Sequence, residues 1–320
     1  MRRLPFRLLL LACLAIAHAA PSAQGGKPVR IIVPFPPGGG SDILARIVAP
    51  KLSDALKQPV VVENRPGAGG TVGADAVAKS APDGLTLLVA EASVLTISPQ
   101  LLPTLPYATR DLAPVANLAL FPHVLVVPAA SRVQSVQQLV AEDRAQPGRF
   151  TIGSAGNGTT PHLTAELFKA AAGLRLVHVP YKGSGPAIAD TVGAQVDMIF
   201  TGLPTVTALM KGGKLRAIGV TSAARLRDLP QVPTIAEAGF ASVESYISQG
   251  LFAPAATPRE LVVRLHAEVS RALRQPDSLV RLAQLGIEPV DQTADQYAAW
   301  IRQQADQWAT VIRQAGVKAE

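Results

Sequence analysis

The sequence VRIIVPFPPGGGSDILARIV, residues 29–48, places a short apolar run before a glycine-rich loop and an amphipathic segment. Residues 29–33 are typical of a buried β-strand, and Pro34 ends it. Three glycines follow at residues 38–40, and Ser41 is predicted to be the N-cap of the next helix. The order strand, loop, helix is the repeating unit of a parallel α/β fold.

The helix after this first loop carries apolar side chains on one face between Ile43 and Leu56, so this face is predicted to pack on a sheet. Pro50 falls inside the same segment and lacks the N–H group that a helix uses at that position. We therefore expect the helix to be kinked or split at Pro50.

A second stretch, FTIGSAGNGTTPHLTAELF at residues 150–168, repeats this design. Strand residues 150–152 lead into a glycine-rich loop. Thr160 is then predicted as the N-cap, Pro161 as the first helical residue and Gly173 as the residue past the helix end. Glycine lets the backbone approach a ligand, and the free N–H groups of a helix N-terminus attract anions without a basic side chain. A tight turn explains one such loop, but two on different lobes indicate an anion site in a cleft.

Short apolar runs alternate with helical segments along the rest of the chain, which predicts a parallel α/β architecture. Roughly 300 residues after the signal exceed one hydrophobic core, so two lobes are expected. We interpret Phe121-Pro122 as a crossing between lobes rather than part of a continuous strand. The predicted boundaries are 1–19 for a signal peptide, 27–124 for the first part of lobe 1, 125–249 for lobe 2, and 250–320 for the return to lobe 1 and the C-terminal helices.

The N-terminus has the pattern of a secretory signal peptide. Three arginines lie among the first seven residues, residues 8–16 are apolar, and small residues before and at Ala19 predict cleavage there. The tripeptide ending at Cys13 also resembles a lipobox, which would indicate a lipid-anchored protein instead. Cleavage after Ala19 removes the only cysteine, and with it any disulfide or thiolate nucleophile. We expect a periplasmic protein.

Composition and motifs argue against several classes of function. The formal charge is +7, but no run of five basic residues occurs and aromatic residues make up only 4% of the chain, so no nucleic-acid surface is expected. Neither a P-loop nor a G-x-S-x-G or H-E-x-x-H motif is present, and no histidine pair has metal-ligand spacing. We therefore predict a binding protein without catalytic residues, metal or cofactor. The alternative is an exported hydrolase using Ser184, or a dinucleotide-dependent enzyme using the glycine-rich residues 62–72. His162 is read as a packing residue or, alternatively, a ligand contact.

Several segments together resemble a known family. They are KPVRIIVPFPPGGGSDILAR, QPVVVENRPGAGGTVGADAVAKSAPDG, SAGNGTTPHLTAELF, VHVPYKGSGPAIADTVGAQVDMIF, KLRAIGVTS and GLFAPAATP. The sequence resembles the Bug-type receptors, the extracytoplasmic solute-binding components of tripartite tricarboxylate transporters. This resemblance implies a two-lobed periplasmic-binding-protein fold of type II, with the ligand cleft between the lobes. It also implies a monomer that binds a small carboxylate and works with a membrane permease or a sensor protein.

The resemblance also implies which residues bind the ligand, because the two glycine loops grip a carboxylate in that family. In the first loop these are Phe35, Pro36, Pro37, Gly38, Gly39, Gly40, Ser41 and Asp42. In the second loop they are Ser154, Gly156, Asn157, Gly158 and Thr159. For Asp42, an interaction with the helix dipole is the default expectation.

Two positions depart from the pattern of the family. Thr201-Gly202 stands where many relatives have Asp-Asn, and Ser248-Gln249 stands where many have a tryptophan nearby. We expect these positions, including Thr201 as a ligand contact, to face the far end of the ligand. The loss of an acidic partner for a ligand amine counts against amino acids. It favours a di- or tricarboxylate or an aromatic carboxylate.

Overall fold

The computed structural model describes residues 27–285, 287, 289–290 and 292–318. The predicted signal peptide at residues 1–19, and with it Cys13, lies outside these ranges. Within them, no helix has both the length and the hydropathy that a membrane crossing requires.

The strands form two sheets that share one long strand. The described strands are β1 (Val29–Val33), β2 (Val60–Asn64), β3 (Thr86–Glu91), β4 (Leu112–Pro128), β5 (Thr151–Ser154), β6 (Val177–Pro180), β7 (Met198–Gly202), β8 (Leu215–Val220) and β9 (Tyr246–Pro254). The first sheet, in lobe 1, has the order β2-β1-β3-β9-β4. The second sheet, in lobe 2, continues from β4 through β7 and β5 to β6, and β8 pairs with β4.

Helices follow most of these strands along the chain. They are α1 (Gly40–Leu56), α2 (Thr71–Ala78), α3 (Ser93–Thr96), α4 (Ser98–Leu101), α5 (Val136–Ala145), α6 (Thr160–Ala172), α7 (Ser184–Val192), α8 (Leu203–Lys211), α9 (Arg259–Leu273), α10 (Pro276–Gln284) and α11 (Ala294–Ala315). Strand β1 pairs in parallel with β2 and β3, and β5 pairs in parallel with β6 and β7. The expectation of parallel β-α units is therefore met in each lobe.

Strand β4 corrects the expectation of a break at Phe121-Pro122, because it runs unbroken for 17 residues. Up to Pro122 it pairs with β9, and from His123 onward it pairs with β7. The N–H group that proline lacks thus falls where the strand changes partners. The strand passes from the first sheet to the second at this point. Strand β9 begins at Tyr246, four residues before the predicted return at residue 250.

Of the two outcomes expected at Pro50, a kink or a split, the split does not occur, because helix α1 continues through this proline. Pro50 is exposed. The carbonyl group that loses its helical partner therefore lies on the side open to water, where solvent can replace the missing bond.

The C-terminal helix α11 joins the two lobes. Its first half buries Tyr297 and Ile301 in a core cluster of lobe 1, and Trp300 is partly buried against it. Its second half buries Trp308 against Leu163 of α6 in lobe 2. Trp308 is thus packed in the core, whereas Trp300 is only partly buried.

Candidate functional site

The first glycine loop lies at the carboxyl end of β1, the edge where ligands bind in open parallel sheets. Helix α1 begins at Gly40 with Gly39 as its N-cap, so the prediction of Ser41 as N-cap is wrong. The Ser41 hydroxyl instead donates to Gln249 Oε1 on β9 at 2.6 Å. A glycine N-cap leaves the first N–H groups of the helix without a side-chain acceptor, and Gly39, Gly40 and Ser41 line a small cavity.

Asp42 stabilises this loop through hydrogen bonds and an ion pair. Its Oδ2 accepts from the backbone N–H of Gly38 at 3.1 Å, and its Oδ1 accepts from Asn64 Nδ2 at 3.0 Å. It also forms an ion pair with Arg46 at 2.9 Å. Burial raises the pKa of Asp42, but the bonds from Arg46, Asn64 and Gly38 outweigh it and hold the pKa below its ordinary value. Asp42 therefore has its acceptors filled by the protein.

The second glycine loop is held by its own hydroxyl groups. Ser154 is buried, and its Oγ lies 2.7 Å from His178 Nε2 and accepts from the Gly156 N–H at 3.2 Å. The Thr159 hydroxyl donates to the Gly156 carbonyl at 2.7 Å. Gly156 has φ +131, and a Cβ there would lie 2.9 Å from the Tyr181 carbonyl oxygen. Only glycine fits this position.

The N-cap of helix α6 lies one residue earlier than predicted. Its N-cap is Thr159, not Thr160, and Pro161 is the second helical residue. Gly173 ends the helix in the left-handed conformation, as expected. His162 is a packing residue. It stacks on His178 with ring centroids 4.0 Å apart, its Nδ1 accepts from the Gly158 N–H, and burial lowers its pKa to about 3.

Two adjoining cavities lie between the lobes, and both are lined by Phe35, Pro36 and Ala155. The smaller has a volume of about 30 Å³. The larger has a volume of about 710 Å³, and apolar side chains such as Leu101 and Leu102 line it together with Lys182. The first and second glycine loops approach this space from opposite lobes.

The predicted ligand residues divide into three groups. The small cavity is lined by Phe35, Pro36, Gly39, Gly40 and Ser41. The large cavity is lined by Phe35, Pro36, Gly156, Asn157 and Gly158. Six predicted residues line neither cavity: Pro37, Gly38, Asp42, Ser154, Thr159 and Thr201. At least Asp42, Ser154 and Thr159 have side chains that shape the loops instead.

The two pairs that depart from the family pattern, Thr201-Gly202 and Ser248-Gln249, do not face a common cavity. Thr201 is buried, and its hydroxyl lies 3.0 Å from the Thr205 hydroxyl. At Gly202 the Phe121 ring occupies the space that a side chain would need. Ser248 donates to Asn117 Oδ1 at 3.1 Å, within the core, whereas Gln249 lines the small cavity. Of these four residues, only Gln249 lines either cavity.

A third glycine loop, residues 67–70, lines the large cavity. The sequence indicated this glycine-rich loop, but only as part of a possible dinucleotide motif and not as part of the cleft. A Cβ on Gly69 would lie 3.0 Å from the Asn157 carbonyl oxygen, so the loop meets the second glycine loop across the lobes. The near-match to a dinucleotide motif is explained by packing, because Val72 lies against Gly67. A glycine cluster directly after a predicted strand was the signal for this loop.

Sequence analysis missed Glu91, the last residue of β3, which lines the small cavity. Its Oε1 accepts from the Thr160 N–H at 2.9 Å and from the Thr160 hydroxyl, so it links lobe 1 to the N-terminus of α6 in lobe 2. Glu91 is buried, and burial raises its pKa. Its position at the carboxyl end of a predicted strand was the available signal.

The small cavity can bind an anion through the backbone. The N-terminal residues of α1 and α7 line it, and α6 begins beside it. Helix N-termini carry partial positive charge and unpaired N–H groups. No lysine, arginine or histidine lines this cavity. The described residues contain no cluster that would hold a metal ion.

Comparison with known proteins assigns the family. The sequence profile of the tripartite tricarboxylate transporter family receptor matches residues 44–317. The structure of R. palustris Rpa4515 with adipate has a TM-score of 0.87 and 33% identity, and the match covers 91% of this chain and 98% of that one. MatC from Rhodopseudomonas palustris, with bound malate, has a TM-score of 0.84 and 31% identity over 89% of this chain and 98% of MatC.

The periplasmic binding protein BugD has a TM-score of 0.86 and 32% identity, over 92% of this chain and 99% of BugD. These similarities confirm the predicted α/β fold of the periplasmic binding proteins. The family consists of substrate-binding receptors and is not a class of enzyme. The chain therefore belongs to the tripartite tricarboxylate transporter receptor family, as its resemblance to the Bug-type receptors predicted.

Proposed function

We propose that this receptor captures a small organic carboxylate between its two lobes in the periplasm and delivers it to a membrane permease. The observation that carries the proposal is the meeting of two glycine loops from opposite lobes at one space, with helix N-termini around it. Backbone N–H groups at such termini bind a carboxylate without a basic side chain. The relatives with adipate and malate support the same ligand class.

The shape of the cleft supports a ligand with one charged end and a less polar body. The small cavity is lined by helix N-termini, and the adjoining large cavity by proline, leucine and glycine. The carboxylate would bind at the small cavity and the body would extend into the large one. A space of about 30 Å³ is close to that of one or two water molecules, so the lobes must separate to admit any ligand and close on it again.

The periplasmic location rests on two observations. The N-terminal sequence predicts a signal peptide, and the relative BugD is a periplasmic binding protein. The enzyme alternative is less well supported. Ser184, its candidate nucleophile, lines the small cavity, but no histidine lines that cavity to activate it. The catalytic motifs are missing from the sequence, and residues 67–72 pack as a structural turn.

A thermal-shift screen tests the proposed function. Carboxylates of different length are added singly, with sugars and inorganic cations as controls. A ligand present at about 100 times its Kd should stabilise the folded protein by roughly 2.7 kcal/mol. We expect at least one carboxylate, and none of the controls, to raise the melting temperature. A shift from a sugar or a cation, with none from any carboxylate, would contradict the proposal.

A further inference from the structure

The small cavity already contains a carboxylate that belongs to the protein. Glu91 lines it, and the Glu91 Oε1 atom is the acceptor for both the N–H and the hydroxyl of Thr160. Thr160 is the first residue of α6, so Glu91 occupies the anion-binding position at the N-terminus of that helix. The second glycine loop therefore meets an internal carboxylate at the point where a ligand carboxylate would otherwise bind.

This arrangement leaves the other two helix N-termini for a ligand. Gly40 of α1 and Ser184 of α7 line the same small cavity, and neither N-terminus has a side-chain cap. One ligand carboxylate can bind there through backbone N–H groups. Glu91 then lies beside the ligand, on the wall of the same cavity.

The carboxyl group of Glu91 has no cationic partner among the residues that the structure describes. Within the described ranges, no lysine, arginine or histidine nitrogen lies within 4.0 Å of its carboxylate, whereas Asp42 of the first loop pairs with Arg46. The other polar side chains of the small cavity are Ser41, Ser184 and Gln249, which are uncharged. The nearby phenol of Tyr297 is also neutral, because burial raises its pKa well above its ordinary range.

We propose that Glu91 is a specificity residue that selects a ligand carrying a protonated amine close to its carboxylate, that is, an aminocarboxylate zwitterion. This inference rests on the proposed carboxylate-binding function and narrows its ligand class. The amine would supply the positive charge that the cavity lacks, and the carboxylate would bind at the N-termini of α1 and α7. The lack of an acidic residue at Thr201-Gly202 counted against amino acids as ligands. This proposal assigns the acidic partner of the amine to Glu91 instead.

A ligand that carries a second carboxylate in place of the ammonium group would fit poorly beside Glu91. Two like charges in a closed cavity repel each other, and closure removes the water that would screen them. Burial raises the pKa of Glu91, as expected for a buried acid without an opposite charge. A ligand ammonium group would reverse that effect, whereas a ligand carboxylate would strengthen it.

The test uses matched ligands and isothermal titration calorimetry on the full-length protein. Alanine, β-alanine, 4-aminobutyrate and 5-aminopentanoate are each compared with the carboxylate in which a methyl group replaces the ammonium group. Succinate, glutarate and adipate serve as dicarboxylates. We expect the best amino acid to bind at least about tenfold more tightly than its methyl analogue and than any dicarboxylate.

Variants assign the preference to Glu91. Glu91→Gln, which keeps the shape and removes the charge, should abolish the preference for the ammonium group and tighten dicarboxylate binding. Glu91→Asp keeps the charge and should retain the preference. Glu142→Gln, which removes a surface carboxylate paired with Arg132, is the control and should behave as the wild type. The wild-type comparison stands even if Glu91→Gln does not fold.

Three results would overturn the inference. The first is a wild-type protein that binds a dicarboxylate as tightly as the best amino acid. The second is dicarboxylate binding that tightens as the pH falls, which would show that Glu91 instead donates a proton to the second carboxylate of the ligand. The third is a Glu91→Gln variant that keeps its preference for ammonium. In each case carboxylates still bind and the proposed function stands. Binding of none of the carboxylates would contradict both proposals.

Discussion

Gly39 and Gly156 have different reasons to be glycine. Gly156 adopts φ +131 and has a carbonyl oxygen 2.9 Å from where its Cβ would be, so any side chain strains the loop. Gly39 has an ordinary extended conformation with φ −80, and the nearest atom to its Cβ position is 3.9 Å away. The fold tolerates a side chain at Gly39, but the small cavity that it lines does not.

This difference makes Gly39→Leu a clean test of the site. The leucine side chain would fill the small cavity of about 30 Å³, and we expect carboxylate binding to be lost. The free energy of unfolding should change by less than about 1 kcal/mol, because no backbone strain results. Calorimetry and urea unfolding measure the two effects. Gly193→Leu, at an exposed position with ordinary contacts, is the control. Wild-type affinity in Gly39→Leu would remove the small cavity from the account.

Asp42 predicts a dependence of stability on pH. Its pKa is lower in the folded protein than its ordinary value, so its stabilising contribution is complete above that ordinary value. The contribution is lost as the pH falls through the folded-state pKa. Asp42→Asn should therefore cost about 1–3 kcal/mol of unfolding free energy at neutral pH, and less below about pH 4. Urea unfolding at several pH values measures this. A cost that is the same at pH 7 and pH 3 would contradict the role assigned to Asp42.

Helix α1 forms despite an internal proline, because its packing against the core outweighs the destabilising effect of that proline. The helix runs from Gly40 to Leu56 through Pro50, which is exposed, while Leu44, Val48 and Leu52 are fully buried. Burial of this apolar face stabilises the helix more than the missing hydrogen bond destabilises it.

Pro50→Ala should accordingly stabilise the protein. Alanine restores the backbone hydrogen bond and is about 3 kcal/mol more favourable than proline inside a helix. Part of this gain is offset because alanine also makes the unfolded chain more flexible. We expect a net gain of about 1–2 kcal/mol in urea unfolding, with ligand affinity unchanged. A loss of stability would show that Pro50 fits a local bend that the helix needs.

The strands and glycine loops were predictable because their signals are local. Apolar runs with flanking glycine or proline mark β1 and β5, and both glycine loops follow directly. The capping of α1 was predicted wrongly because Ser41 bonds to Gln249, a residue 208 positions away. Glu91 was missed for the same reason, since its partner Thr160 is 69 positions away and in the other lobe. Long-range pairs of polar side chains leave no periodic pattern in the sequence.

The two lobes meet at several points around the site. A Cβ on Gly183 of lobe 2 would lie 3.0 Å from Pro36 of lobe 1, and Gly69 lies equally close to Asn157. Glu91 and Thr160 are hydrogen-bonded across the same gap. Glycine at residues 69 and 183 lets the lobes approach closely, because a side chain there would press against the Asn157 carbonyl oxygen or the Pro36 ring. The strand β4 and the helix α11 connect the lobes beyond the site.

The distribution of function over the molecule follows from this architecture. The sheets hold the carboxyl ends of β1, β3 and β5 at the gap between the lobes, and each of these strands is followed by a loop or side chain that reaches the ligand space. Helix N-termini supply the attraction for an anion, and Glu91, the acidic side chain that lines the small cavity, selects the group that accompanies it.

The most direct test of the central claim is a crystal structure of the protein with the carboxylate that binds most tightly. The account predicts a ligand enclosed by both lobes, with its carboxylate within about 3 Å of backbone N–H groups at the N-terminus of α1. A ligand held on an outer surface, or a carboxylate paired only with a basic side chain such as Lys182, would contradict it.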